Sequence, residues 1–330
     1  MNRALVELLR RKESELQQRG IAWRITGVAT RKTGWLADPK GFDLNVLLGK
    51  SSALPGWANP LLRDDFCDWL STARANVLLE AISLDPYTGQ PAIEYLRAAL
   101  NMGIHAITAN KGPVVHAYRE LSTLAAEKGK QFLFESTVMD GVPIFSLFRD
   151  HLHGVQVHGF RGILNSTTNV ILSGMESGLT FDQALKRAQD VGVAETNPSH
   201  DIDGWDATMK VAALVTVVMN TPIRPDQVQR EGIRGLNADQ VFSAHAAGHP
   251  YRLVCRAHRS GEQAEASVRP EQVPANDPLA QVTGTSSVVY FETDIFPGLI
   301  ITEVNPGVEA TAYGMYADFV RAVGTGKAEV

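Results

Sequence analysis

Residues 1–32, "MNRALVELLRRKESELQQRGIAWRITGVATRK", decide how the fold is read. Leu5, Leu8, Leu9 and Leu16 recur at helical spacing and Gly20 supplies a stop, so the chain is expected to open with a helix. "IAWRITGVATRK" (21–32) then reads as a β-strand. A helix followed by such a strand is the second half of a βαβ unit whose first half is absent. In doubly wound dinucleotide folds a glycine turn joins the first strand to the first helix, and the pyrophosphate sits on that helix's N-terminus. Met1 stands where the last residues of such a turn would fall. The expectation is that the true beginning lies upstream, for instance through a late start codon. The plain alternative is an ordinary N-terminal helix with no cofactor. A parallel sheet lacking that strand would leave backbone groups unpaired, at about 1–3 kcal/mol for each buried one. Poor stability or weak dinucleotide binding is therefore expected of residues 1–330 alone.

The bulk composition narrows the function classes. A chain of 330 residues, 44% hydrophobic and 20% charged, is long enough for two ordinary domains with cores of their own. A net charge of −5 without a long basic stretch argues against nucleic-acid binding, which needs a field able to displace counterions. The apolar start "ALVELL" (4–9) is interrupted too soon by "RRKE" to be a signal peptide. The run "VAALVTVVM" (211–219) is far short of a membrane span and reads as a buried helix. Two cysteines, Cys67 and Cys255, in no metal-ligand spacing, point to a reducing compartment, and a cytoplasmic location is expected.

The first part of the chain alternates strands and helices. "ANVLLEAI" (75–82), "HAITA" (105–109) and "QFLFEST" (131–137) are short apolar strands. "PAIEYLRAALNMG" (91–103) and "HAYRELSTLAAEKG" (116–129) are the helices between them, while "SALPGWANP" (52–60) is a loop. That order predicts a mostly parallel sheet covered by helices on both faces. After about residue 140 the pattern turns α+β and antiparallel, with a strand at 154–162, helices over 167–220, and strands in "YRLVCRAHR", "SSVVYFET" and "GLIITEVN". The fold class is α/β: an N-terminally truncated, Rossmann-like parallel sheet with a second α+β catalytic and dimerisation domain. Residues 1–138 form the dinucleotide-binding domain, residues 139–308 the second, and the terminal helix over 309–324 folds back onto the first.

The densest stretch for chemistry is "AETNPSHDIDGWDATMKVAALVTVVM" (194–219). Glu195, Asp201, Asp203 and Asp206 precede Lys210, which leads into an almost wholly apolar helix. A helix apolar on all sides is buried, so Lys210 needs carboxylate company to stay charged. Such a lysine suits acid–base work on an alcohol or carbonyl. Capping offers a competing explanation: Asp203 as N-cap, Asp206 at the third helical position, and Asp206 with Lys210 as an i,i+4 pair. It leaves Glu195 and Asp201, in an irregular segment around Pro198, unexplained. Lys111, in "ITANKGPVV" (107–115), follows a strand and is expected at the carboxyl end of the sheet, where open α/β folds bind ligands, or else as a loop lysine in solvent. Asn165, Ser166, Thr167 and Thr168 lie between a strand and a helix, able to cap that helix or to hold a substrate carboxylate. The strand over 21–32 ends in Arg31 and Lys32, with no carboxylate until Asp38. If a dinucleotide binds, this favours the 2′-phosphate of NADP over NAD, although Arg31 could equally be a solvated surface charge.

Taken together, "ITANKGP", "ESTVMDGVPI", "GILNSTTNVIL" and "AETNPSHDIDGWDATMK", in this order and spacing, resemble homoserine dehydrogenase. The likeness continues through "NPGVEATAYGMYADF" and covers essentially the whole chain. It implies reversible, NAD(P)(H)-dependent interconversion of aspartate 4-semialdehyde and homoserine, with the first strand and glycine turn just before "NRALVELL". It implies that Lys111 and Lys210 flank the reacting carbonyl, that Glu195, Asp201 and Thr168 bind the substrate, and that Asp206 supports the site. On the cofactor side the expected residues are Arg31, Lys32, Ser83 and Lys111. A sodium ion is expected near Glu135 and Val138, held mainly by backbone carbonyls, and a homodimer through the second domain's sheet. No ACT domain follows residue 330, so feedback by that route is not expected. The chain departs from the pattern at Met139 and Asp140, where small residues are usual, and at Ser166, Val193 and Asn197. Those departures keep open a dehydrogenase of a related hydroxy amino acid or semialdehyde, and the missing first strand keeps open a catalytically silent homologue.

Overall fold

The computed structural model describes residues 1–30, 34–49 and 65–324. The chain opens with α1 (Asn2–Arg11) and α2 (Glu13–Gln18), separated at Lys12. Leu5, Leu8, Leu9 and Leu16 are all buried, as their spacing requires, and Gly20 takes the positive φ that ends α2.

The next segment corrects the sequence reading. Within "IAWRITGVATRK" only Gly27–Thr30 forms a strand, β1, and it pairs antiparallel with β2 (Gly34–Ala37) instead of joining the parallel sheet. Aromatic packing accounts for this. Trp35 stacks edge-on against Phe66 and Tyr95, and the Trp69 indole donates to the Leu36 carbonyl at 2.8 Å. Gly27 lies so close to Trp69 that a Cβ there would come within 2.8 Å of the indole. Pairs of this kind contribute about 0.5–1.5 kcal/mol each beyond area burial. The loop expected over 52–60 lies outside the described residues.

After α3 (Leu44–Leu47) and α4 (Phe66–Ala73) comes the parallel sheet. It consists of β3 (Val77–Glu80), β4 (His105–Thr108) and β5 (Phe132–Leu133) in that order, crossed over by α5 (Ala92–Asn101) and α6 (Lys111–Glu127). Side chains alternate across it as strand geometry demands. Ala106 and Phe132 face the α5–α6 side, while Ile107 and Leu133 face a separate cluster built from α1 and the chain's last helix.

A 3₁₀ turn (Glu135–Thr137) and α7 (Phe145–Asp150) lead into the second region. Here β6 (Val157–Ile163) is followed by α8 (Ser166–Glu176), α9 (Phe181–Asp190), α10 (Ser199–Ile202) and α11 (Trp205–Val217). Next come β7 (Gln229–Arg230), α12 (Ala238–Ala246), β8 (Tyr251–Ser260), β9 (Gln263–Gln272), β10 (Ser287–Thr293) and β11 (Leu299–Glu303). The six strands run in the order β11-β10-β6-β8-β9-β7, antiparallel except where β7 meets β9. The nearly wholly apolar α11 is buried between this sheet and α6. The last helix, α13 (Val308–Val323), returns to pack on α1, β3, β4 and the 3₁₀ turn. Its Gly314 permits that approach: a Cβ there would press to 3.0 Å from the Asp140 carbonyl.

Candidate active site

Helix α6 starts immediately after β4, with Asn110 as its N-cap accepting from the Gly112 amide at 3.0 Å. Lys111 is therefore the first helical residue at the carboxyl edge of the parallel sheet. Helix α11 packs across α6 and carries Asp206 and, one turn later, Lys210. The two oxygens of Asp206 each take one ammonium, Lys111 Nζ at 3.1 Å and Lys210 Nζ at 3.1 Å. Lys210 also donates to the Leu164 carbonyl at 2.5 Å. Asn165, the N-cap of α8, directs its amide to Asp201 Oδ1 at 2.7 Å and Asp206 Oδ2 at 3.0 Å.

The electrostatics follow from this geometry. Burial disfavours the Asp206 carboxylate, yet Lys111 and then Lys210 outweigh it and hold the group well below the usual carboxylate range. Burial likewise works against the Lys210 ammonium, but Asp206 and Asp140 keep its proton affinity above normal. Asp201 has the opposite fate: desolvation first, and the neighbouring Asp206 charge second, push it up. Two adjacent carboxyls thus differ in proton affinity because one owns the cations and the other does not.

A cavity of about 230 Å³ opens onto these groups. Ala81, Ile82 and Ala109 from the sheet edge line one wall; Lys111 and Lys210 contribute its cations, and Asp140 and Thr311 close it. Met139 and Asp140 both lie in the left-handed region, with φ of 52° and 53°, and Thr311 Oγ1 donates to Asp140 Oδ1 at 2.5 Å.

The other expected site residues are placed differently. Glu195 is exposed, and its carbonyl accepts from Gln189 at 3.1 Å. Thr168 is fully buried; its hydroxyl donates to the Asn165 carbonyl, so its polar atoms serve the first turn of α8. Ser83 is exposed in the loop after β3, at the sheet's carboxyl edge. Arg31 and Lys32 lie outside the described residues. The Glu135 carboxylate accepts from the amides of Phe145 and Ser146 at 2.7 and 2.9 Å, and Val138 is fully buried. Among the described residues no group of three or more His, Cys, Asp or Glu side chains is placed to hold a metal ion. Asp203 does not cap α11. Gly204, at φ 80°, takes the cap, because the turn needs a left-handed residue and Asp203 is engaged by Arg234 Nε at 2.6 Å. Asp201 falls in the short helix α10, not in irregular chain.

One neighbouring group escaped sequence reasoning altogether. Glu303, at the end of β11, has a buried Oε2 with no hydrogen-bond donor. Burial, and then the Asp140 carboxyl beside it, push Glu303 up to about 7, with Lys210 pulling the other way. Nothing in the local pattern of "GLIITEVN" marks it.

A lysine pair on one carboxylate, in a cleft at the carboxyl edge of a helix-covered parallel sheet, fits a dehydrogenase of the dinucleotide-binding class. Comparison with known proteins makes this specific. The family model described as homoserine dehydrogenase matches residues 143–320. The chain is 30% identical to an NAD(+)-dependent homoserine dehydrogenase of Pseudomonas canavaninivorans, over 97% of this chain and 92% of that one. It superposes on a homoserine dehydrogenase from Thiobacillus denitrificans with a TM-score of 0.81 at 29% identity, covering 97% of this chain and 70% of that chain. A hyperthermophilic archaeal homoserine dehydrogenase in complex with NADPH gives 0.80 at 27% identity, covering 98% of this chain and 94% of that chain. The chain belongs to the homoserine dehydrogenase family.

Proposed function

We propose that this chain catalyses the reversible, NAD(P)(H)-dependent interconversion of aspartate 4-semialdehyde and homoserine. The observation that carries the reading is Asp206, held between the Lys111 and Lys210 ammoniums on the wall of the cavity. When bound, the dinucleotide supplies the hydride. Ala81, Ile82, Ala109 and Lys111, with Met1, line the part of the cavity that would hold the dinucleotide. Ser83, exposed just after β3, would add to the cofactor side. Lys210 gives its proton from Nζ to the alkoxide that develops on the substrate, while Lys111 stabilises the negative charge before transfer. Asp206 keeps Lys210 charged and pairs with Lys111, and Asp201 and Glu195 take the ammonium end of the substrate. Thr168 acts through Asn165, whose orientation it fixes, and not on the substrate itself.

Residues 1–138 with 309–324 form the dinucleotide-binding part of this reading, and residues 139–308 the substrate and dimerisation part. NADP is the preferred cofactor, on the strength of Arg31 and Lys32. A sodium ion near Glu135 and Val138 would rely on backbone carbonyls, since the Glu135 carboxylate faces the amides that open α7. No step runs through it. A homodimer through the mixed sheet is supported by exposed Ile295, Phe296 and Ile300 beside the β11 edge. No helix among the described residues is long and apolar enough to cross a membrane, and the thiols of Cys67 and Cys255 are free, in keeping with a cytoplasmic enzyme.

The test is steady-state reduction of NADP⁺ and NAD⁺ with homoserine against a panel of other hydroxy amino acids. Homoserine is expected to give the highest kcat/KM, with NADP⁺ preferred. Turnover confined to another hydroxy amino acid would overturn the substrate assignment. A preference for NAD⁺ would overturn only the role of Arg31 and Lys32.

A further inference from the structure

Trp205 stands one residue before Asp206, directly after the left-handed Gly204. Its ring is held from two directions. The Arg230 guanidinium of β7 lies over it at 3.9 Å from the ring centroid. Tyr87, from the loop between β3 and α5, meets it edge-on at 5.7 Å, with the planes at 65°. Arg230 also donates to the Asp203 carbonyl, and Arg234 grips the Asp203 carboxylate through Nε at 2.6 Å. The backbone adds to the clamp: the Ile233 amide donates to the Ile202 carbonyl at 2.8 Å, and a Cβ on Gly232 would come within 2.6 Å of Asp203 Cα. The turn between α10 and α11, which carries Asp201 and Asp206 on its two sides, is thus fastened to residues 230–234.

Tyr87 brings in the other half of the molecule. It is 70% exposed, yet its loop is braced, since Asp85 accepts from the amides of Tyr87 and Thr88 and from the Thr88 hydroxyl at 2.6 Å. His116 of α6 ties the same loop down through the Pro86 carbonyl at 3.0 Å. The loop begins with Ala81 and Ile82, which line the cavity. A single aromatic contact therefore links the cofactor-side wall of the cavity to the residue next to Asp206.

We propose that Trp205, clasped between Tyr87 and Arg230, is a positioning residue that sets the N-terminus of α11 so that Asp206 reaches Lys111 and Lys210 together. The inference rests on the reading of Asp206 and the two lysines as the reaction centre. Lys111 belongs to the same side of the cleft as Tyr87, and Lys210 to the side of Arg230. Asp206 bridges both only while the two sides hold one spacing, and the Tyr87–Trp205–Arg230 stack is a rigid spacer at that junction. Misplacement of a catalytic group by about 1 Å can cost about 100-fold in rate.

Tyr87→Ala makes the test clean, because an exposed ring contributes little to folding. Its melting temperature is expected to match wild type, its kcat to fall about 10- to 100-fold, and its dinucleotide Kd to stay within about twofold. Tyr87→Phe keeps the ring and restores kcat, and Trp205→Phe is expected to fall between Tyr87→Ala and wild type. Wild-type kcat in Tyr87→Ala, or equal losses in the Ala and Phe variants, would overturn the proposal. Lys210→Ala, assayed in parallel, separates the two levels. If it retains turnover, the reaction-centre reading fails; if it is inactive while Tyr87→Ala is normal, only the positioning role fails.

Discussion

Two acids, the half-buried Asp206 and the buried Asp318, each lie beside a second carboxyl but in opposite electrical company. Asp206 has Asp201 as its neighbour but holds an ammonium on each oxygen. Asp318, on α13, accepts the Glu135 amide at 2.8 Å and has the buried Glu135 carboxyl nearby, while Arg149 and Arg321 act on it only as secondary influences. Burial is adverse to both. It is outweighed at Asp206, which stays ionised, and it prevails at Asp318, which is pushed up to about 7. The acid that owns cations is equipped for chemistry, and the acid without them makes the fold sensitive to pH.

The sharpest way to break the comparison is to remove a cation from the first acid. Lys210→Ala is expected to lower kcat about 10²- to 10⁴-fold, the usual span for a lost proton donor, with dinucleotide affinity nearly unchanged. Steady-state rates and a fluorescence titration of cofactor binding check the two halves separately. Near-normal turnover would remove Lys210 from the mechanism.

Removing the acid itself asks about the fold. Asp206→Ala would leave two largely buried ammoniums facing one another without a counter-charge. Breaking such a pair costs about 3–5 kcal/mol, and urea denaturation should show a loss of that order. A loss below about 1 kcal/mol would place these charges among exposed pairs, which contribute little.

Asp318→Asn should do the reverse. A folded-state value of about 7 lies above the unfolded value of about 3.9. The folded protein therefore binds the extra proton between those values. Stability falls as pH rises from about 4 to about 7, by at most about 1.4 kcal/mol per pH unit, and is level above that. Asparagine can still accept the Glu135 amide but does not titrate. The variant is expected to be more stable than wild type near pH 7.5 and to lose most of that slope. Glu135, which burial also raises, retains a share of it. Parallel stability–pH curves for the two proteins would show that Asp318 is not the titrating group.

The sequence made some of this legible because the relevant signals were local. Leu5, Leu8, Leu9 and Leu16 show their burial by spacing, and Asp206 with Lys210 is visible as an i,i+4 pair. The rest depends on partners far along the chain. Lys111 reaches Asp206 across the α6–α11 crossing, and Asn165 bridges two carboxylates that lie 36 and 41 residues away. Strand β9, "QAEASVRPEQ", has too many polar residues and a proline to read as a strand. It exists because it pairs with β8 along its whole length. The hairpin of β1 and β2 is not legible locally for a similar reason, since Trp35 and Trp69 decide its place through contacts more than thirty residues apart. Capping by Gly204 was hidden too, because a rule favouring aspartate knows nothing of Arg234.

The smallest effect belongs to the cations that approach the second acid from the rim. Arg321, in the last turn of α13, pairs with Asp150, and its side chain is 40% exposed. In water such a charge is screened, so its pull on Asp318 is weak compared with desolvation, and its own ion pair contributes about 0–1 kcal/mol. Arg321→Ala should therefore lower the unfolding free energy measured in urea by less than about 1 kcal/mol at neutral pH and leave the stability–pH slope almost as in wild type. A larger loss, together with a displaced slope, would mean that the rim cations govern Asp318 after all. In that case the contrast with Asp206 would be one of degree: both acids would have cationic partners, and only the distance would separate a reaction centre from a structural pair.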